Sequence, residues 1–344
     1  MGSPRLVAVL LAGSLAALGL SCSSDTEVSG ASSQPETETV ATSDASRDAA
    51  SVTTDTSIAT LPTVVVTYSI LAAVVRELLA GVADVVTVIP DGQDPHDFEP
   101  SPRDVERIIN ADFVVFNGLD LEEGLDDVLA NARSSGVPVF AIAEHVTTLD
   151  IVDVNDHSDH GHVHPGADSS HGHDDHDHSE DPHVWLSPHT IREALPALAR
   201  AASDALGVDL TSAEKSLDDR LVALDSELSE LFSTVENCQL VTGHNELGYF
   251  ADRYGCTVIA AILSSPSTNA EESAGNMEFV IDVIRSHDAR VVFTSLGTNP
   301  AVAARVAEQA GAQLVEINTH YLGASESYIS FIRTLGTTIA TSLR

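Results

Sequence analysis

Short apolar runs of strand length alternate with helical stretches from residue 62 onward. Four runs rich in β-branched or aromatic residues occupy residues 64–68, 85–89, 113–117 and 137–141. Helical spacing lies between them, and Ser101-Pro102 followed by Asp104 has the form of a helix start with a capping box. This βαβαβαβ order predicts a parallel sheet covered by helices.

The same alternation returns after residue 238. Predicted strands there cover residues 239–241, 257–262, 291–294 and 314–317, and predicted helices cover 246–254, 270–287, 300–310 and 325–343. Two strongly helical stretches, residues 187–206 and 212–235, separate the two series, and the second is long enough to act as a rigid spine. We therefore predict an α/β fold of two lobes, each a parallel four-stranded sheet with flanking helices, joined by a long rigid helix.

The domain boundaries follow from this pattern. The N-terminal α/β lobe is predicted at residues 61–186, the linking helices at 187–237 and the C-terminal α/β lobe at 238–344. A loop rich in His and Asp is predicted inside the first lobe, at 153–180. The length of the chain allows two such domains.

The first 60 residues have the pattern of an export signal followed by a tether. Arg5 precedes a short apolar stretch at residues 6–20 that is rich in small residues. Cys22 follows, which is similar to a bacterial lipoprotein signal over residues 1–21 with acylation of Cys22; simple cleavage is the alternative. Residues 22–60 are rich in Ser, Thr, Asp, Glu and Ala, which predicts a disordered tether. The protein is therefore expected outside the cytoplasm, on the outer face of the cell membrane or in the periplasm.

Acidic residues outnumber basic ones by a wide margin. The 344 residues include 16 Lys and Arg and 52 Asp and Glu, for a formal charge of −36. This balance argues against nucleic acid and against an anionic membrane surface as partners. Cations are the natural ligands of such a field, although much of the charge also serves solubility.

Histidine and aspartate are concentrated in the middle of the chain. Asp-Pro-His occurs twice, at residues 94–96 and 181–183, and a His- and Asp-rich run precedes the second copy. Imidazole is the commonest metal ligand and suits zinc, copper and nickel. The run is predicted to be a flexible accessory loop that collects metal weakly, because protonation competes with binding. Its histidines are His157, His160, His162, His164, His171, His173, His176 and His178.

Four other histidines lie where a metal site is expected. His96 follows the second predicted strand of the first lobe, and His183 precedes the linking helices. His244 and His320 follow the first and last predicted strands of the second lobe. Open parallel sheets bind ligands outside the carboxyl ends of their strands, so the four are predicted to share one metal site in the cleft between the lobes. Glu316 is the alternative fourth ligand.

Two observations argue against an enzyme. Residues 171–176 fit the H-x-H-x-D-H string of metallo-β-lactamase-type hydrolases, but they lie in a low-complexity tract rather than after a buried strand. A zinc hydrolase also needs an open coordination position and a general base. The one candidate base, Glu246, is interpreted as an acid in the first turn of a helix, so no catalytic residue is expected.

Cys238 and Cys256 are predicted to form a disulfide. Each precedes a predicted strand, and the two strands are expected to be neighbours. Paired cysteines in an exported protein are usually bonded. A metal role is not expected, since no third thiol accompanies them.

Three motifs resemble those of the zinc and manganese solute-binding proteins of bacterial ABC importers (cluster A-I), in particular the zinc branch with a His-rich loop. They are Gly-x-Asp-Pro-His-x-Phe-Glu-Pro-Ser-Pro at 92–102, Asp-Pro-His-Val-Trp-Leu-Ser-Pro at 181–188, and Gly243-His244 before Tyr249-Phe250. The resemblance covers residues 62–344. It implies two α/β lobes joined by a long helix, with one metal ion bound between them.

The resemblance also implies a ligand set. It carries the ligand role to His96, His183 and His244, and a histidine rather than a carboxylate at the third position favours zinc. The fourth ligand of the family is an aspartate three residues before a glycine, and counting back from Gly323 places His320 there. A four-histidine site and a site of three histidines with a water or Glu316 are both open.

The sequence thus predicts an extracytoplasmic, monomeric solute-binding protein. It is expected to capture Zn²⁺ as a transported ligand and to deliver it to the membrane permease of an ABC importer. Manganese or another divalent ion is the alternative cargo within this class. A zinc-dependent hydrolase is the alternative from a different class, and no feature of the sequence speaks for or against a surface adhesin.

Overall fold

The predicted strands and helices are present in the computed structural model, which describes residues 60–151, 154, 180–265, 267–268 and 273–344. The predictions for the signal peptide, Cys22 and the tether fall on residues outside these ranges, as do nearly all those for the His-rich loop. Among the described residues, no helix has both the length and the apolarity needed to cross a membrane. The described residues from 60 to 344 form one compact unit.

The first lobe is a four-stranded parallel sheet with helices. Its elements are β1 (Thr63–Val66), α1 (Ser69–Leu78), β2 (Asp84–Thr87), α2 (Pro102–Ile109), β3 (Phe113–Phe116), α3 (Asp126–Ser134) and β4 (Val139–Ala141). The strand order is β2-β1-β3-β4. The central β1 is paired on both sides, with Val65 opposite Val86 and Val114. The carboxyl ends of the strands therefore meet at one edge, where β2 runs into the loop that carries His96.

Two helices, α4 (Pro188–Leu206) and α5 (Thr211–Phe232), connect the lobes. Helix α5 packs against α4, against α1 of the first lobe, and against α6 (Gly248–Tyr254) and α9 (Tyr328–Leu343) of the second lobe. Leu217, Leu221, Leu224 and Leu228 form the buried stripe of α5, and each buried leucine contributes about 1.5–3 kcal/mol. A Cβ at Gly336 of α9 would lie 2.6 Å from Leu228 Cδ2, so this glycine permits the close packing of α9 on α5.

The second lobe repeats the plan of the first. Its elements are β5 (Gln239–His244), α6 (Gly248–Tyr254), β6 (Thr257–Leu263), α7 (Ala274–Ser286), β7 (Val291–Thr294), α8 (Pro300–Ala310), β8 (Gln313–Glu316) and α9 (Tyr328–Leu343). The strands pair in two parallel ladders, β5 with β6 and β7 with β8. Strands β5 and β7 lie side by side. The α/β architecture of two lobes is confirmed, with the second sheet divided into two ladders.

One large apolar core joins the lobes. It extends from the first sheet through α4 and α5 to one face of the second lobe, where Val291 and Phe293 of β7 belong to it. Val292, between them, belongs to a second cluster formed with α7 and α8. This alternation is the two-residue period of a strand covered on both faces.

Helix starts show where local signals decide the fold. The predicted capping box of α2 is present, because Ser101 and Asp104 exchange side-chain to backbone hydrogen bonds. Ser187 precedes α4 but makes no capping hydrogen bond with its side chain. The apolar spacing of residues 121–133 favours a helix from residue 121, but α3 begins at Asp126, because Glu122 has a non-helical backbone (φ −109°, ψ 54°) and Glu123–Leu125 form a short 3-10 helix.

Candidate metal centre

The two Asp-Pro-His sequences fold in the same way. Asp94 Oδ1 accepts a hydrogen bond from the backbone N–H of His96 at 3.1 Å, and Asp181 Oδ1 accepts one from that of His183 at 2.9 Å. Aspartate commonly caps the backbone two residues on in this way, and proline fixes the intervening angle. Each turn thus orients one imidazole through a purely local arrangement.

The other two predicted ligands belong to the second lobe. His244 is the last residue of β5, and His320 lies in the loop after β8. Both side chains are therefore placed at the carboxyl ends of parallel strands, where ligand sites of open α/β sheets are found.

The structure brings all four histidines together. One ring nitrogen from each of His96, His183, His244 and His320 lies within 4.8 Å of the others, and all four residues are buried. The Nε2 atom of His183 is 3.3 Å from Nε2 of His96 and 3.3 Å from Nε2 of His244. Two ligands on one tetrahedral ion with bonds of about 2.0–2.1 Å lie about 3.3 Å apart. The spacing therefore suits a single small cation.

Asp181 sets the tautomer of His183. Its Oδ1 lies 2.7 Å from His183 Nδ1, so Nδ1 carries the hydrogen and donates a hydrogen bond to the carboxylate. The Nε2 lone pair is then directed at the other histidines. A carboxylate behind a metal-binding histidine orients the ring, and Asp181 is a residue of the candidate site that the sequence analysis did not single out.

Burial keeps the imidazoles neutral. It lowers the pKa of His96 to about 3, with a further contribution from nearby His183. Burial also holds the pKa of His244 and of His320 well below the ordinary value, and the neighbouring histidines lower it further. Neutral imidazole is the form that binds metal, so these three residues are in the binding form at pH 7.

Aromatic residues tie the second Asp-Pro-His turn to the second lobe. Trp185 Nε1 donates to the Thr319 carbonyl at 2.7 Å, and the Tyr328 hydroxyl donates to the Trp185 carbonyl at 2.8 Å. The Tyr249 hydroxyl donates to the Asp181 carbonyl at 2.9 Å. His183 is thereby fixed relative to the loop that carries His320, because Thr319 is the residue before it.

Glu246 was placed wrongly by the sequence analysis. Helix α6 begins at Gly248, so Glu246 precedes the helix. Its side chain is buried, and its Oε2 lies 3.6 Å from His244 Nε2 and 3.7 Å from His320 Nδ1. Burial raises its pKa to about 7, although His183 and the hydroxyls of Ser295 and Thr319 lower it. A glutamate just before a helix looks like a favourable N-terminal acid, and only tertiary packing reveals its place beside the histidines.

Glu316, the alternative fourth ligand, is not among the residues that come together. It is exposed at the end of β8, because neighbouring strand residues point to opposite faces. Cys238 and Cys256, in contrast, are joined by a disulfide, and their Cα atoms are 4.6 Å apart. This bond links the segment before β5 to the start of its partner strand β6.

Comparison with known proteins identifies the family of the chain. The family described as zinc-uptake complex component A, periplasmic (ZnuA), matches residues 64–342, which is most of the sequence. The chain belongs to this family. A metal-binding protein of Treponema pallidum is 28% identical over 259 residues, covering 74% of this chain and 78% of that protein.

Other relatives of this ZnuA-family chain carry the names of different metals. The manganese-binding lipoprotein MntA of Halalkalibacterium halodurans is 24% identical over 281 residues, covering 78% of this chain and 84% of MntA. The zinc-binding protein AdcA of Streptococcus pyogenes is 26% identical over 256 residues, or 72% of this chain. That match covers 48% of AdcA, so the chain spans about half of that relative.

Solved structures of the family share the fold. The periplasmic zinc-binding protein TroA of Treponema pallidum aligns with a TM-score of 0.70 at 21% identity, covering 82% of this chain and 99% of TroA. A crystal structure of ZnuA aligns with a TM-score of 0.67 at 18% identity, covering 83% of this chain and all of that one. At such identities the likeness establishes the architecture alone.

Proposed function

We propose that the protein captures Zn²⁺ outside the cytoplasm and delivers it to the permease of an ABC importer. The observation that supports this most directly is the cluster of four buried histidines contributed by both lobes. A binding protein must hold its cargo tightly and release it whole. An ion held between two lobes meets both needs, because separation of the lobes would remove ligands from it.

The donor set favours zinc as the cargo. Imidazole suits zinc, whereas manganese prefers oxygen donors such as carboxylates. All four clustered donors are nitrogens, and two of the spacings fit bonds of zinc length. Zinc is therefore a substrate here rather than a resident cofactor.

The other parts of the proposal rest on sequence. Export by residues 1–21 and a lipid anchor on Cys22 would hold the protein close to its permease in the cytoplasmic membrane. The His-rich run at 153–180 would collect Zn²⁺ weakly beside the tight site, because isolated histidines bind metal with lower affinity and greater sensitivity to pH. The protein is expected to act as a monomer.

Zinc titration of the purified protein tests the proposal. The unaltered protein should show one tight site in addition to weaker ones, and His96→Ala combined with His183→Ala should abolish the tight site. His189→Ala combined with His287→Ala is the matched control, because both of these histidines lie outside the cluster. Unchanged tight binding in the first pair, or an equal loss in the control pair, would refute a zinc site at the cleft.

A further inference from the structure

The buried carboxylate of Glu246 uses only one of its two oxygens in an ordinary hydrogen bond. Its Oε1 accepts a hydrogen bond from the Ser295 hydroxyl. Within the described part of the chain, its Oε2 is buried and has no hydrogen bond of ordinary geometry. Burying a carboxylate oxygen without a partner is costly, so the position indicates a ligand.

Two ring nitrogens of the histidine cluster lie near Oε2. His244 Nε2, at 3.6 Å, is the same atom that lies 3.3 Å from Nε2 of His183. His320 Nδ1 is 3.7 Å away. These separations are too long for hydrogen bonds. They fit donors that share one ion, which lie about 3–4 Å apart when the bonds are about 2.0–2.2 Å long.

Asp181, the other buried carboxylate beside the histidines, supports a histidine through a hydrogen bond. It approaches His183 at Nδ1, the nitrogen that faces away from the cluster, at a hydrogen-bonding distance of 2.7 Å. Glu246 instead approaches His244 at Nε2, the nitrogen that faces the other histidines. The two carboxylates therefore have different roles: Asp181 orients a ligand, whereas Glu246 is placed to be one.

We propose that Glu246 Oε2 binds the ion together with the four histidines and sets how strongly the site prefers Zn²⁺ to Mn²⁺. This inference rests on the proposed function, since it concerns the same ion. Four neutral imidazoles leave the full charge of a divalent cation buried, and a carboxylate offsets half of it. An oxygen donor also raises affinity for Mn²⁺ relative to an all-nitrogen set. Glu246, a residue of the second lobe, would thus supply the negative charge that offsets the cation and would allow the site to bind Mn²⁺ as well as Zn²⁺.

Paired metal titrations of the full chain and Glu246→Gln test this role. The variant keeps the side-chain shape, removes the charge and leaves the four histidines in place. We expect its affinity for Mn²⁺ to fall by at least about tenfold more than its affinity for Zn²⁺. A residue that merely supports a ligand would weaken both ions by a similar factor, so equal losses, or no loss, would overturn the proposal.

Glu122→Gln is the matched control. Glu122 is the corresponding fully buried glutamate of the first lobe, and its carboxylate accepts hydrogen bonds from the Thr67 hydroxyl and the Asn117 backbone. Both metal affinities should match those of the unaltered protein. If the control shifted the ratio of Mn²⁺ to Zn²⁺ affinity as much as Glu246→Gln does, the effect would not belong to Glu246 and the inference would fail.

Cobalt spectroscopy adds a reading of coordination number. Four-coordinate Co²⁺ absorbs visible light much more strongly than five-coordinate Co²⁺. The unaltered protein should give the weaker five-coordinate bands, and Glu246→Gln the stronger four-coordinate ones; identical spectra would overturn the proposal. If the variant does not fold, four-coordinate bands from the unaltered protein would still overturn the proposal. A failure of the proposed function is distinguishable, because the unaltered protein would then lack a tight Zn²⁺ site.

Discussion

At the scale of single residues, the candidate site depends on side chains that hold the His183 turn in position by hydrogen bonds. Asp181 accepts hydrogen bonds from both the backbone N–H and the Nδ1 of His183. Trp185 and Tyr328 hold the same turn against the second lobe. The four histidines could be predicted because each follows a strand end or an Asp-Pro signal. The position of Glu246 could not, since its burial arises from packing against residues distant in sequence.

Asp181→Asn should weaken zinc binding by about 10- to 100-fold. The substitution keeps the shape of the side chain but removes the charged acceptor that orients the ring of His183. Isothermal titration against a competing chelator measures the change. Asp218→Asn is the control, since Asp218 pairs with Arg192 on the linking helices; equal affinities of the two variants would contradict the role given to Asp181.

Glu122 should make the stability of the protein depend on pH. Burial raises its pKa from 4.5 to about 7, which outweighs the hydrogen bonds that favour its charged form. The folded protein therefore favours the protonated acid, so this contribution is fully present below pH 4.5 and is lost as the pH rises through about 7. The loss amounts to at most about 3 kcal/mol.

Denaturant unfolding between pH 4.5 and pH 8 checks this dependence. Glu122→Gln does not titrate, so its free energy of unfolding should fall less over this range than that of the unaltered protein. Parallel curves for the two proteins would show that Glu122 does not carry the effect.

At the scale of elements, the order of strands and helices followed from hydrophobic periodicity, whereas several boundaries did not. Helix α3 starts later than its apolar pattern suggested because Glu122 has a non-helical backbone and Glu123–Leu125 form a short 3-10 helix. Helix α9 starts at Tyr328, where Ser327 and Ser330 form a capping box, three residues after the predicted start. Such boundaries depend on backbone angles and caps that periodicity does not encode.

The disulfide should stabilise the second lobe without touching the metal site. It closes a loop with a sequence separation of 18 residues, for which chain entropy gives about 3 kcal/mol. Cys238→Ser combined with Cys256→Ser should lower the free energy of unfolding by that amount in urea titrations and leave zinc affinity unchanged. An equal stability of the two proteins, or a loss of zinc binding, would contradict this assignment.

The His-rich run should be separable from the tight site. An isolated bridge pairs Asp150 with Glu180, so described residues on either side of the segment 156–179 lie side by side and a short link can replace it. Zinc titration of this deletion should show the weak sites gone and the tight site intact. Loss of tight binding would mean that the run belongs to the site itself.

At the scale of the whole molecule, the four clustered histidines of the proposed ion site lie where the two lobes meet. His96 comes from the first lobe, His183 from the entry to the linking helices, and His244 and His320 from the second lobe. The Leu322 N–H donates to Ser69 Oγ and the Gly323 N–H to Asp91 Oδ2, so hydrogen bonds join the lobes beside the site. The strand-end rule for parallel sheets predicted this meeting from sequence, and the fourth ligand was left open because strand direction alone did not separate His320 from Glu316.

A crystal structure grown with zinc, with anomalous data collected on both sides of the zinc absorption edge, tests the central claim most directly. The account predicts one strong zinc peak bonded to His96, His183, His244 and His320, at distances of about 2.0–2.1 Å. A peak bound elsewhere, or no peak among these four side chains, would contradict it.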